Sequence, residues 1–151
     1  MNDNRRERAL GFSWPALVGL AALAVPRVVL HDLRVIEEGT FVNGLFVFVP
    51  LACWIAAVLW RRPPHPFRTV VVIGAIYGVF LAAGHMLFWD TAFDGGPFED
   101  VDSSQEAALR GQVVVTSVLT GTAVGVITGA VALIFLRLTR PRSRRGPSRR
   151  S

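Results

Sequence analysis

Four apolar blocks constrain this chain more than any other feature: Phe12–Leu30, Phe41–Trp60, Thr69–Trp89 and Val113–Leu136, of 19, 20, 21 and 24 residues. Each is long enough to cross roughly 30 Å of hydrocarbon at about 1.5 Å per residue. In lipid every backbone N–H and C=O must be satisfied internally, so only helices and closed barrels span. The blocks lack the two-residue alternation that separates the lipid face of a barrel from its lumen. With 52% of the 151 residues hydrophobic and 18% charged, too little polar surface remains to cover four such helices in water. The sequence therefore predicts an all-α integral membrane protein, one domain of four transmembrane helices in an up-and-down bundle.

Charge sets the orientation. All sixteen basic residues are Arg. Arg5, Arg6 and Arg8 precede the first block, Arg61, Arg62 and Arg68 fill the second loop, and seven more follow Leu136. Only Arg27, Arg34 and Arg110 fall on the other side, where nine of the eleven acids lie. Basic flanks stay cytoplasmic, so both termini are expected inside, in the inner membrane of a bacterium. The net charge of +5 then reports topology. Residues 1–11 read as a basic cytoplasmic segment, 12–137 as the transmembrane domain and 138–151 as a disordered Arg-rich tail. A secretory leader competes for the first block, with Ala22-Leu23-Ala24 as its cleavage site. The single Cys53 lies mid-block and carries no disulfide information.

Punctuation along the chain sharpens the helices. Pro15 suits a first turn, Pro26 is expected to kink the first helix, and Gly39 suits its C-cap. The second helix is expected to follow Asn43-Gly44, with Pro50 as a further kink, and to end at the Trp60-Arg61-Arg62 anchor. Three prolines in "RRPPHPF" predict a stiff loop before a third helix from about Thr69. Ser103 and Glu106 read as a capping box that starts the fourth helix near Ser104.

Helices in lipid associate through close packing of small residues. Ser117, Gly121, Gly125 and Gly129 recur every four residues in the fourth block, and Gly74, Gly78 and Ala82 do so in the third. The stripes serve packing within one chain, or equally a homo-oligomer or a membrane-protein partner. Thr116, Thr120, Thr122 and Thr128 are expected to bond to their own or a neighbouring helix.

The stretch "PRVVLHDLRVIEEG" gathers the polar residues that end the first block. On one helix Arg27, His31, Arg34 and Glu38 fall at about 0°, 40°, −20° and 20°, a single polar face. His85 falls on the Gly74/Gly78 face of the third block at about 20° by the same count. In an up-and-down bundle the first and third helices are diagonal, so both faces converge at one mouth. His31 and His85 with Asp32 and Asp90 there form a candidate divalent-metal site, zinc for instance, or a proton relay or pH sensor. Bis-His haem is disfavoured, because four tightly packed helices leave little room for a porphyrin. The competing reading is interfacial: Arg27 snorkels, Arg34 pairs with Glu38, and His85 and Trp89 line the boundary.

Other motifs carry less. "DVDSSQE" lacks the central Gly and terminal Glu of a calcium loop, and His65 sits among prolines in a solvated loop. The Arg tail suits anionic lipid. Nucleic-acid binding would need aromatic interleaving that the sequence lacks. No phosphate loop or nucleophile elbow is present. The sequence thus points to a small accessory, assembly or scaffold protein rather than an enzyme, with a His/carboxylate transport, sensing or metal site as the alternative.

Overall fold

A computed structural model describes residues 9–33, 35, 40–93 and 102–139. Every regular element among them is a helix: α1 Trp14–Ala22, α2 Val25–Asp32, α3 Phe41–Arg61, α4 Pro66–Leu87, α5 Trp89–Phe93 and α6 Ser103–Leu138. Three of these, α3, α4 and α6, are long and apolar enough to cross a membrane, while Trp14–Leu30 is a shorter apolar segment. Gly39 and the tail beyond Thr139 lie outside the described residues.

The first block differs from the single kinked helix expected of it. It breaks into α1 and α2, and Pro26 explains why: its ring clashes with the carbonyl of Ala22 and it donates no hydrogen bond there. The turn before it tightens, with Leu23 N bonding Leu20 O at 3.3 Å and Ala24 N bonding Ala21 O at 3.2 Å. The Trp54 indole donates to Leu20 O at 2.7 Å, so a carbonyl at the break is met by α3. The first block is therefore broken between Ala22 and Val25, and α3 meets the chain at that break.

The other boundaries follow their caps. Thr40 accepts from Asn43 N at 3.2 Å and starts α3 at Phe41, which places Asn43-Gly44 inside its first turn rather than ahead of it. α3 runs through Pro50 and stops at Arg62, whose φ of 47° is left-handed. The last proline of "RRPPHPF" starts α4 instead of delaying it, since a first-turn position wastes no N–H. The capping box lies one residue earlier than Ser103: Asp102 accepts from Ser104 N at 2.8 Å and Gln105 N at 2.9 Å, and its own N–H donates to Gln105 Oε1 at 3.2 Å. At 36 residues α6 spans about 54 Å, so it overruns a bilayer core of roughly 30 Å.

Hydrogen bonding to Ser104 and to the Gln105 amide holds the Asp102 carboxyl below the ordinary carboxylate range. Its cap is therefore complete above about pH 4 and is lost as the pH falls through the lowered native value. Amide exchange at Ser104 and Gln105 should rise at acid pH while exchange at the centre of α6 stays slow. Asp102→Ala should exchange rapidly at those two amides at every pH.

α4 and α6 form the tightest pair. They run antiparallel with glycine backbones in contact. A Cβ placed on Gly121 would lie 2.4 Å from Gly78 Cα, and one on Gly74 would lie 2.6 Å from Gly125 Cα. Ser117 O meets the Gly78 position and Phe67 meets Gly129. Thr116 and Thr122 turn their hydroxyls back onto Gln112 O and Val118 O of α6 itself. α1 and α2 pack on α4 and α3, and α6 packs on α4 and α3. The first and third blocks are thus neighbours running parallel, where a diagonal placement was expected. Gly84 explains it: about 100° around α4 from the Gly74/Gly78 face, it lets Val28 approach where a Cβ would stand 2.6 Å from Val28 Cγ1.

At the end of the bundle near the termini, the chain before α1 is tied down. Gly11 holds φ +71° with Pro63 against it, a site that no side chain tolerates. Arg61 Nε donates to Gly11 O at 3.3 Å and its guanidinium lies 5.6 Å from the Phe12 ring centroid. Thr69 Oγ1 lies 2.8 Å from Leu10 O.

Candidate functional site

The far end of the bundle holds the polar residues. Along the first block Leu17, Ala21, Ala24 and Val28 are buried, at the spacing of one helical face. Asp32 extends that face by one turn, so the carboxylate is carried inward with it and ends 2% exposed. On α4, Gly84 clears the space for α2, and a Cβ there would lie 3.7 Å from Asp32 Oδ2. His85 follows in the last turn, with Nδ1 2.9 Å from Asp32 Oδ2.

The pair is asymmetric. The Asp32 side chain is 1% exposed and that of His85 is 23% exposed, while the two facing atoms are shielded from solvent. A buried carboxylate is costly unless it is paired, and His85 is a group that pairs with it. A carboxylate against one imidazole nitrogen is the arrangement by which carboxylates orient metal-binding and general-base imidazoles.

A second group stands beside the pair. Arg27 Nε donates to Asn43 Oδ1 at 3.1 Å, tying α2 to the first turn of α3. The Tyr77 ring sits edge-on to Trp54 with centroids 6.1 Å apart, and Trp54 is the residue that bonds Leu20 O at the break. Further out, the Arg110 guanidinium lies 4.7 Å from the Trp89 ring centroid and its Nη2 lies 2.7 Å from Glu106 Oε1.

Of the residues singled out in the sequence, the structure brings together Asp32 and His85. His31 precedes Asp32 on α2, but its side chain lies outside the described residues, as do Arg34, Glu37 and Glu38. Asp90 is exposed on α5. Among the described residues no group of three or more His, Cys, Asp or Glu side chains is placed to hold a metal ion. Arg27 of the polar stripe is engaged with Asn43.

Sequence reasoning passed over Gly84, Tyr77 and Trp54, and took Asn43 only as part of the turn before the second helix. Two signals were present: a Trp at mid-span needs an acceptor for its N–H, and a Gly beside His85 invites close approach of a neighbouring helix. Comparison with family models, curated proteins and solved structures finds no match to this chain.

Proposed function

We propose that this is a multi-pass protein of a bacterial inner membrane, with both termini in the cytoplasm, that works without catalysis as an accessory, assembly or scaffold component through helix packing. The observation that carries this reading is the α4–α6 seam, where Gly74, Gly78, Gly121 and Gly125 bring two long apolar helices to backbone contact. Large apolar side chains exposed along α3, α4 and α6, including Phe41, Phe48, Trp60, Leu87, Leu119 and Ile127, suit acyl chains and not water. Partners of this reading are the bilayer, another copy or another membrane protein, and anionic lipid at the Arg tail.

A second reading rests on Asp32 and His85. An ionisable pair inside a spanning bundle is a functional candidate, and its half-open imidazole suits external pH sensing, proton transfer or a divalent metal such as zinc. One double substitution separates the readings. Asp32→Leu with His85→Leu replaces the pair by apolar packing, which is often neutral or stabilising. The packing reading expects this variant to complement a deletion strain as the parent does, and the purified parent to carry no stoichiometric metal and no haem absorption band. A folded double variant that fails to complement assigns the function to the pair. Metal or haem that is lost with His85→Ala does the same.

A further inference from the structure

We propose that the open face of α6 docks a second copy of this chain, with α6 parallel to α6 about a two-fold axis. This rests on the membrane reading above and names the partner in it. The seam with α4 uses Ser117, Gly121, Gly125 and Gly129, and the opposite side of the same helix is left uncovered. Thr116, Thr120, Ala123, Ile127, Ala130 and Ile134 are all exposed there, Ile127 by 66% and Ile134 by 56%. Their spacing alternates four and three residues, the pattern along which one helix meets another in a left-handed seam. Counted from Gln112 at 100° per residue they fall between about 0° and 80°, and Gly121 falls at about 180°.

Hydroxyls separate this face from ordinary lipid-facing surface. Within the apolar blocks of α3, α4 and α6 the exposed hydroxyl residues are Thr116 and Thr120, both in this stripe. Thr116 returns its hydroxyl to Gln112 O at 2.9 Å, whereas Thr120 makes no hydrogen bond among the described residues. Thr120 lies about 10 Å in from the Val113 end of its block, at a depth where acyl chains offer a hydroxyl no partner and leaving it unbonded is costly. The occupant follows from symmetry. Copies of one membrane protein insert the same way, so a two-fold axis along the membrane normal sets their α6 helices parallel and brings each residue near the axis against its counterpart. A hydroxyl both donates and accepts, so Thr120 is complementary to Thr120. Ala123 and Ala130 let the two backbones approach. Charge does not oppose the pairing. Between Gln105 and Leu136 the charged residues of α6 are Glu106 and Arg110, about 80° and 120° from the centre of the stripe, and they bond to each other at 2.7 Å.

Oxidative cross-linking of the full-length chain in native membranes tests this, with single cysteines in a Cys53→Ser background and copper phenanthroline as oxidant. Thr120→Cys should form a disulfide-linked dimer. Val115→Cys, at a position 58% exposed but about 100° from the centre of the stripe, should stay monomeric. Energy transfer between donor- and acceptor-labelled Ser104→Cys copies, diluted with lipid in vesicles, then measures the affinity. Thr120→Val should weaken association about threefold, the average for one interhelical hydrogen bond in a bilayer. Ala123→Leu, which puts bulk between the backbones, should weaken it about fivefold or more. Both substitutions lie on the uncovered face, so the helicity of the chain should not change. No dimer from Thr120→Cys, equal dimer at both positions, or an adduct with a different protein each overturns the proposal, as does association that neither substitution weakens. Alkaline extraction of membranes keeps the two levels apart. A chain that stays in the membrane pellet yet does not self-associate sinks the dimer alone, whereas a chain released to the supernatant sinks the membrane reading with it.

Discussion

Gly121→Leu is expected to be the most damaging single substitution in this chain, lowering stability by about 3 kcal/mol or more, the upper end of the overpacking range. The reason is geometric. A Cβ at 121 would stand 2.4 Å from both Gly78 Cα and Gly78 N and 2.5 Å from Gly74 O. Those are backbone atoms, which cannot swing aside as a side chain can, so α4 and α6 must separate along the seam that joins them. Gly111→Leu is the matched control on the same helix, because nothing lies within 4 Å of a Cβ there. It should be neutral or slightly stabilising, since Leu exceeds Gly in helix propensity by somewhat under 1 kcal/mol. Denaturation midpoints of both variants in one detergent measure the contrast. Equal midpoints would mean that the seam does not hold the bundle together.

The second large effect is expected at the buried pair. His85→Ala takes the imidazole away from the Asp32 carboxylate, which is 1% exposed, and removing one partner of a buried polar group costs about 1–3 kcal/mol. Asp32→Asn should cost less, because the His85 side chain that remains is 23% exposed and reaches water. The loss should be local first. α2 is anchored to α4 by this pair and by Val28 against Gly84, and it is separated from α1 by the break. Hydrogen exchange in His85→Ala should therefore rise in α2 before it rises in α4 or α6. Uniform exchange across all helices would argue that α2 is not a separately held unit.

Much of the architecture can be read from residue order. α3 begins and ends beside Thr40 and Arg62, where an apolar block meets a cap and a basic flank. The glycines and Ser117 that meet across α4 and α6 stand at four-residue spacing in both segments. What could not be read is whatever a second helix decides. Pro26 announces a disturbance, but not that Trp54 meets Leu20 O at the break from across the bundle. Neighbour order depends on Gly84, whose role appears only when Val28 comes to rest on it.

The site shows the same limit. An unbroken helix places Arg27, His31, Arg34 and Glu38 on one face, and the side chains of the last three lie outside the described residues. The Leu17–Val28 face turns inward, and Asp32, four residues beyond Val28, reaches His85. A carboxylate that continues an apolar stripe was the legible sign. Charge asymmetry addresses the orientation of the bundle, and packing contacts do not.

Orientation is therefore where the account is most directly tested. In a Cys53→Ser background, single cysteines are placed at Ser104, exposed in the first turn of α6, and at His65, exposed in the loop before α4. Intact cells are treated with a membrane-impermeant maleimide. The account predicts labelling of Ser104→Cys in intact cells, and of His65→Cys only after the membrane is opened. Labelling of His65→Cys with Ser104→Cys protected would invert the bundle, and identical behaviour at both positions would mean that α4 does not cross the bilayer.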